Sequence, residues 1–146
     1  MMRHIFAIAT ALTLAWSPAA HAQTPPANDA VYQAWGQKEG IRAVMEDFVQ
    51  RLMVDPRMAP FFKNTNRERL VTQLTEQLCQ EAGGPCTYRG APMGPAHAGM
   101  NIGKGDFNAL VEVLQESMDA KDIPFAAQNG MLARLAPMHR DIITRR

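Results

Sequence analysis

Apolar residues recur at three- and four-residue steps along most of this chain, the spacing that lays one face of an α-helix against a core. Val31, Tyr32 and Trp35 mark a short first helix, capped by Asn28 or Asp29 and ended by Gly36. Ile41, Val44, Met45, Phe48 and Leu52 predict an amphipathic helix over about 38–54. Asp55-Pro56 opens a further turn that leads to Pro60-Phe61-Phe62. Thr65 or Asn66 caps the next helix, whose apolar stripe is Leu70, Leu74 and Leu78 with Val71 beside it; Gly83-Gly84-Pro85 stops it. Residues 83–95 read as loop, followed by a helix of two or three turns around His97. Phe107, Leu110, Val111, Leu114 and Met118 predict a helix over about 106–120. Leu132, Leu135 and Ile142 predict a last one over about 125–143, kinked at Pro137. No stretch alternates with period two over strand length, so the expected fold is all-α.

The first 28 residues follow a different pattern. Met1-Met2-Arg3-His4 is a cationic start, Ile5 to Trp16 an apolar run, and Ser17-Pro18 a break. Ala20-His21-Ala22 then places small residues before Gln23. That is the layout of a secretory signal over residues 1–22, and twelve apolar residues are too few to span a bilayer. Residues 23–28 read as a flexible leader and residues 29–146 as one domain. Export to an oxidising compartment, the bacterial periplasm, is the expectation.

Removing residues 1–22 from the 146 leaves 124, with 14 basic and 14 acidic side chains, because Arg3 leaves with the signal. A neutral chain with scattered charge argues against nucleic acid or an anionic membrane as its main partner. No glycine-rich loop follows a strand-like run, which argues against a nucleotide-binding sheet. Cys79 and Cys86 are the only cysteines, and an even count in an exported chain favours a disulfide between them. Unlinked thiols are the alternative. His97 and His139 are the histidines that remain. His139, beside Arg140 and Asp141, reads as a solvated helix-face residue. His97 follows the irregular loop, in Met93-Gly94-Pro95-Ala96-His97-Ala98-Gly99-Met100. In isolation it reads as a structural histidine.

The order of several short stretches changes that reading. Gly40-Ile41-Arg42-Ala43-Val44, Glu46-Asp47-Phe48, Asp55-Pro56-Arg57 and Phe61-Phe62 come first. Thr65-Asn66, Gly83-Gly84-Pro85, Tyr88-Arg89-Gly90, Ala96-His97-Ala98-Gly99, Asp106-Phe107 and Leu135-Ala136-Pro137 follow. Together, over about residues 30–143, they resemble the group I truncated haemoglobins, a short globin family built as two helices packed on two. The resemblance implies haem as cofactor, His97 as the proximal iron ligand, and Phe62 packed on the porphyrin face. A globin-type site needs one neutral imidazole nitrogen and an apolar slot for a flat ring. Phe48, Phe61, Phe62, Met93, Met100, Ile102, Phe107, Val111 and Leu114 supply candidates for that slot. Arg67, Arg69 and Tyr88 are candidates for the propionates.

The distal side departs from the family pattern. Val49 stands where members that hold oxygen firmly commonly have tyrosine. Leu74 stands where glutamine is frequent, and Leu70 where a polar residue is frequent. None of the three donates a hydrogen bond. Gln73 lies about 100° from the Leu70–Leu74 stripe, and both Gln73 and Gln77 are expected to face solvent. Gly36 is followed by Gln37 where the family often has a second glycine. The expected function is reversible binding of a diatomic gas (oxygen, carbon monoxide or nitric oxide) by a monomer. Nitric oxide dioxygenation or peroxide turnover at the same iron, a haem carrier, and a haem-free helical module are the alternatives. The redox partner that such turnover needs is not legible in the chain.

Overall fold

The computed structural model describes residues 29–145. The expected signal over 1–22 and leader over 23–28 lie outside them. Among the described residues there are helices and no strands. Helix α1 is Ala30–Ala34, α2 Gln37–Val54, α3 Ala59–Phe62 and α4 Arg67–Glu81. Next come α5 Met93–His97, α6 Lys104–Ala120, α7 Phe125–Leu135 and, after a 3-10 turn at Ala136–Met138, α8 His139–Ile142. Helix α2 packs against both α4 and α6, while α7 packs against α1 and α4. The result is a two-over-two helical sandwich. No helix among the described residues is long and apolar enough to cross a membrane.

Local chemistry explains most of the helix ends. Gly36 turns the chain between α1 and α2 at φ 76°, and Gln37 follows at φ 61°. The second value is the left-handed conformation that glycine adopts at no cost and an L side chain resists. At Gly40 a Cβ would run into the Trp35 carbonyl oxygen, so the close approach of the end of α1 to the start of α2 requires glycine there. Of the two candidate caps, Asn66 is the one used, its side chain accepting from the Arg69 N–H at 2.9 Å. The Gly103 N–H donates to Asp106 Oδ2 at 2.9 Å, which starts α6 two residues ahead of the expected position.

Two expected elements differ. The helix at His97 is five residues long, shorter than expected, because Pro92 precedes it and Gly99 at φ 75° follows. Pro137 breaks the last helix where only a kink was expected. It lacks the N–H an α-helix needs, so the chain tightens into the 3-10 turn and restarts as α8.

Trp35, Ile41, Met45, Leu52, Met58, Met118 and Met131 are fully buried. Methionine is over-represented in that set, and its unbranched thioether chain fills irregular gaps between helices that cross at several angles. Trp35 Nε1 donates to the Ala127 carbonyl at 3.2 Å and ties α1 to α7. The Cys79 and Cys86 sulfurs are bonded, with Cα atoms 5.7 Å apart. That bond joins the last turn of α4 to the loop that leads to α5.

Candidate functional site

The sandwich forms a cleft-like cavity of about 810 Å³, partly open to solvent, within the range of roughly 300–1,000 Å³ that surrounds a cofactor-sized molecule. The helices from α2 onward contribute to its wall. Met45, Phe48 and Leu52 project from one face of α2; Phe61 and Phe62 close one side from α3. Leu70, Leu74, Gln77 and Leu78 come from α4, and Phe107, Leu110, Val111 and Leu114 from α6. Met93, His97, Met100 and Ile102 come from α5 and the turn after it, and Leu132, Leu135, Met138 and Ile142 from α7 through α8. The wall is apolar over most of its area, and His97 is the one histidine on it among the described residues.

The tautomer of its neutral ring is set by a neighbour. His97 Nδ1 lies 2.8 Å from the Met93 carbonyl oxygen, one turn back in α5. A carbonyl only accepts, so Nδ1 is a donor and, in the neutral ring, Nε2 keeps its lone pair. An imidazole held in that tautomer by a backbone carbonyl is the arrangement that metal-ligating histidines use. The segment after it is pinned as well. Thr144 and Arg145 N–H groups donate to the Ile102 carbonyl at 2.9 and 2.8 Å, and the Ile102 N–H donates to Thr144 Oγ1 at 2.9 Å. His139 Nδ1 reaches the Ala136 carbonyl at 2.8 Å, but the residue is exposed and stacks edge-on against Phe107, with ring centres 6.4 Å apart.

Most of the sequence-derived site residues converge here. His97, Phe48, Phe61, Phe62, Leu70, Leu74, Tyr88, Met93, Met100, Ile102, Phe107, Val111 and Leu114 all line the cavity. Tyr88 is half-buried at the rim, and its hydroxyl donates to the Ala91 carbonyl at 2.9 Å. Arg67 and Arg69 are exposed and stand off the wall. Val49 also stands off it: fully buried, it is turned into the core, and Met45 on the same helix takes the place at the wall.

Gln73 and Gln77 depart from expectation. Gln73 is half-buried at the wall rather than solvent-facing. Gln77 is 7% exposed, and its Nε2 lies 3.5 Å from both Met93 Sδ and Met138 Sδ. The signal for Gln77 was present in the chain. Seven residues past Leu70 brings a helix round to within about 20° of the same face, so Gln77 belongs to the Leu70–Leu74 stripe. Met45, Leu52, Met58 and Met138 also escaped the sequence reading, because a cavity-facing apolar side chain has the same spacing as a core-facing one.

An all-helical two-over-two sandwich that holds one tautomer-fixed imidazole over an apolar cavity defines the class of globin. Residues 30–144 match the bacterial-like globin family. A group 1 truncated haemoglobin of Mycolicibacterium paratuberculosis is 31% identical over 114 residues, 78% of this chain and 84% of that protein. One from Tetrahymena pyriformis is 28% identical over 113 residues, 77% of this chain and 93% of that protein. Its crystal structure in the Fe(III) form superposes with a TM-score of 0.74 over 77% of this chain and 97% of that one. The 2/2 haemoglobin of Synechococcus shares the fold at a TM-score of 0.73 and 18% identity, over 79% of this chain and 98% of that one. The chain belongs to the bacterial-like globin family and is a haem-binding truncated haemoglobin. The wall fits that cofactor: flat aromatic and aliphatic surfaces for a planar ring, and a single neutral nitrogen for its iron.

Proposed function

We propose that this globin acts as a monomer and, after export to the periplasm, reversibly binds a diatomic gas at haem iron held by His97 Nε2, with Leu70 and Leu74 in place of hydrogen-bond donors at two positions facing the ligand. The carrying observation is His97 itself, an imidazole on an apolar cavity wall with its Nδ1 proton committed to the Met93 carbonyl. Haem supplies an iron that binds small gases; the protein would supply the nitrogen that holds it, a mostly apolar slot and the choice of polar neighbours. Leu70 and Leu74 put hydrocarbon at the positions where the family often places a donor. The signal-like pattern of residues 1–22, with cysteines paired in an oxidised state, supports export.

The test is spectroscopic. Protein purified from a haem-sufficient host is expected to show a Soret band that shifts with carbon monoxide. His97→Ala is expected to abolish or shift the band, and an unchanged spectrum in that variant overturns the assignment of the iron ligand.

A further inference from the structure

Among the described residues Gln77 is the one amide on the cavity wall that is almost wholly buried, and its partners are unusual. Its side chain meets two thioether sulfurs, Met93 Sδ and Met138 Sδ, each at 3.5 Å. Sulfur of this kind only accepts, which orients the amide with its NH₂ toward both methionines. The two methionines stand on different elements. Met93 opens α5, and Met138 closes the 3-10 turn ahead of α8. Gln77 itself is in the third turn of α4. One side chain therefore bridges three pieces of the cavity wall on which His97 also lies.

Met93 makes the bridge matter to the iron ligand. Its sulfur takes the Gln77 N–H, while its carbonyl oxygen takes the His97 Nδ1 proton at 2.8 Å. Helix α5 has only five residues, too few to hold its own geometry without outside contacts. We infer that Gln77 is a positioning residue for the iron ligand: through Met93 it sets the carbonyl that orients the His97 ring. A leucine or phenylalanine at this point would fill the same space without fixing the Met93 side chain in rotation. The inference rests on the reading that His97 ligates iron.

The experiment uses the haem-loaded full-length protein and two readouts, haem loss to excess apomyoglobin and the iron–histidine stretching band in the reduced protein. Gln77→Leu is expected to speed haem loss by about tenfold, the lower end of what losing an outer partner of a metal ligand costs. It should also shift or broaden the iron–histidine band, which loosened packing elsewhere in the cavity does not move. Met93→Leu removes the sulfur, keeps the carbonyl and conserves volume, so it is expected to fold and to reproduce both changes. The double variant should then be no worse than Gln77→Leu alone, since that substitution already cuts the Gln77–Met93 connection. The inference is overturned if Gln77→Leu leaves the band in place, or if the two substitutions add. Should Gln77→Leu fail to fold, an unmoved band in Met93→Leu overturns it alone. Failure of the underlying reading looks different: an unchanged Soret band in His97→Ala.

Discussion

Leu74 stands on the cavity wall one helical turn after Leu70, and the pair gives that part of α4 a hydrocarbon surface. Oxygen held at the haem carries partial negative charge and gains from a donor; carbon monoxide gains little. A single donor to a charged or strongly polarised group contributes about 1–3 kcal/mol, or roughly one to two decades in affinity. Leu74→Gln is therefore expected to slow oxygen dissociation by about one decade or more with carbon monoxide binding nearly unchanged. Stopped-flow measurement of both gases checks it, and equal slowing of both would point to a steric effect. Individual side chains were unevenly legible. His97 and the aromatic pair Phe61-Phe62 stood out by context. Val49 did not reveal that it turns into the core, because a buried aliphatic reads alike on either side of a helix.

The helices themselves were written into the spacing, and their ends into Gly36, Asn66 and Pro137. Less visible was how short α5 is and what holds it. The Cys79–Cys86 bond ties the loop ahead of α5 to the last turn of α4, and Tyr88 in that loop donates its N–H to Gln80 Oε1 at 2.9 Å. Closing so short a loop restricts the unfolded chain and contributes about 2–3 kcal/mol on the chain-entropy account. Replacing both cysteines by serine is expected to lower stability by that amount in urea unfolding at neutral pH. Reductant should lower the wild type to the same level and leave the variant unmoved.

Across the whole molecule, exposed ion pairs stitch the layers together. Lys38–Glu76 and Arg42–Glu68 link α2 to α4, and Arg51–Glu116 links α2 to α6. Each contributes little singly. Two carboxylates nevertheless mark a pH dependence. Burial alone would raise the Asp47 carboxyl, but hydrogen bonding from Arg51 and Ser117, with the Arg51 and Lys121 charges, holds it below the ordinary range. Hydrogen bonding from the Arg57 side chain does the same for Asp55, against a smaller effect of burial. The folded state thus binds these protons less readily than the unfolded chain. Their contribution is complete above the unfolded aspartate value of about 3.9 and is lost as pH falls through the lower folded values. Unfolding midpoints measured between about pH 5 and 2.5 should fall less steeply in Asp47→Asn/Asp55→Asn, and an unchanged slope would exclude these two groups as the cause.

The chain alone carried the all-helical class, the helix spans, the family resemblance and the histidine to weigh first, because these rest on periodicity, caps and motif order, all of which are local. Which residues face the cavity had to wait for the packed molecule. A stripe of Leu, Met and Phe is buried whether it meets another helix or an enclosed space, so only the crossing of α2, α4 and α6 sends Val49 to the core and Met45 to the wall. The same crossing brings Gln77 between two methionines 16 and 61 residues farther along the chain. Pairings at that range leave no periodic trace, which is why the residue that spacing alone places on the cavity stripe shows its partners only in the fold.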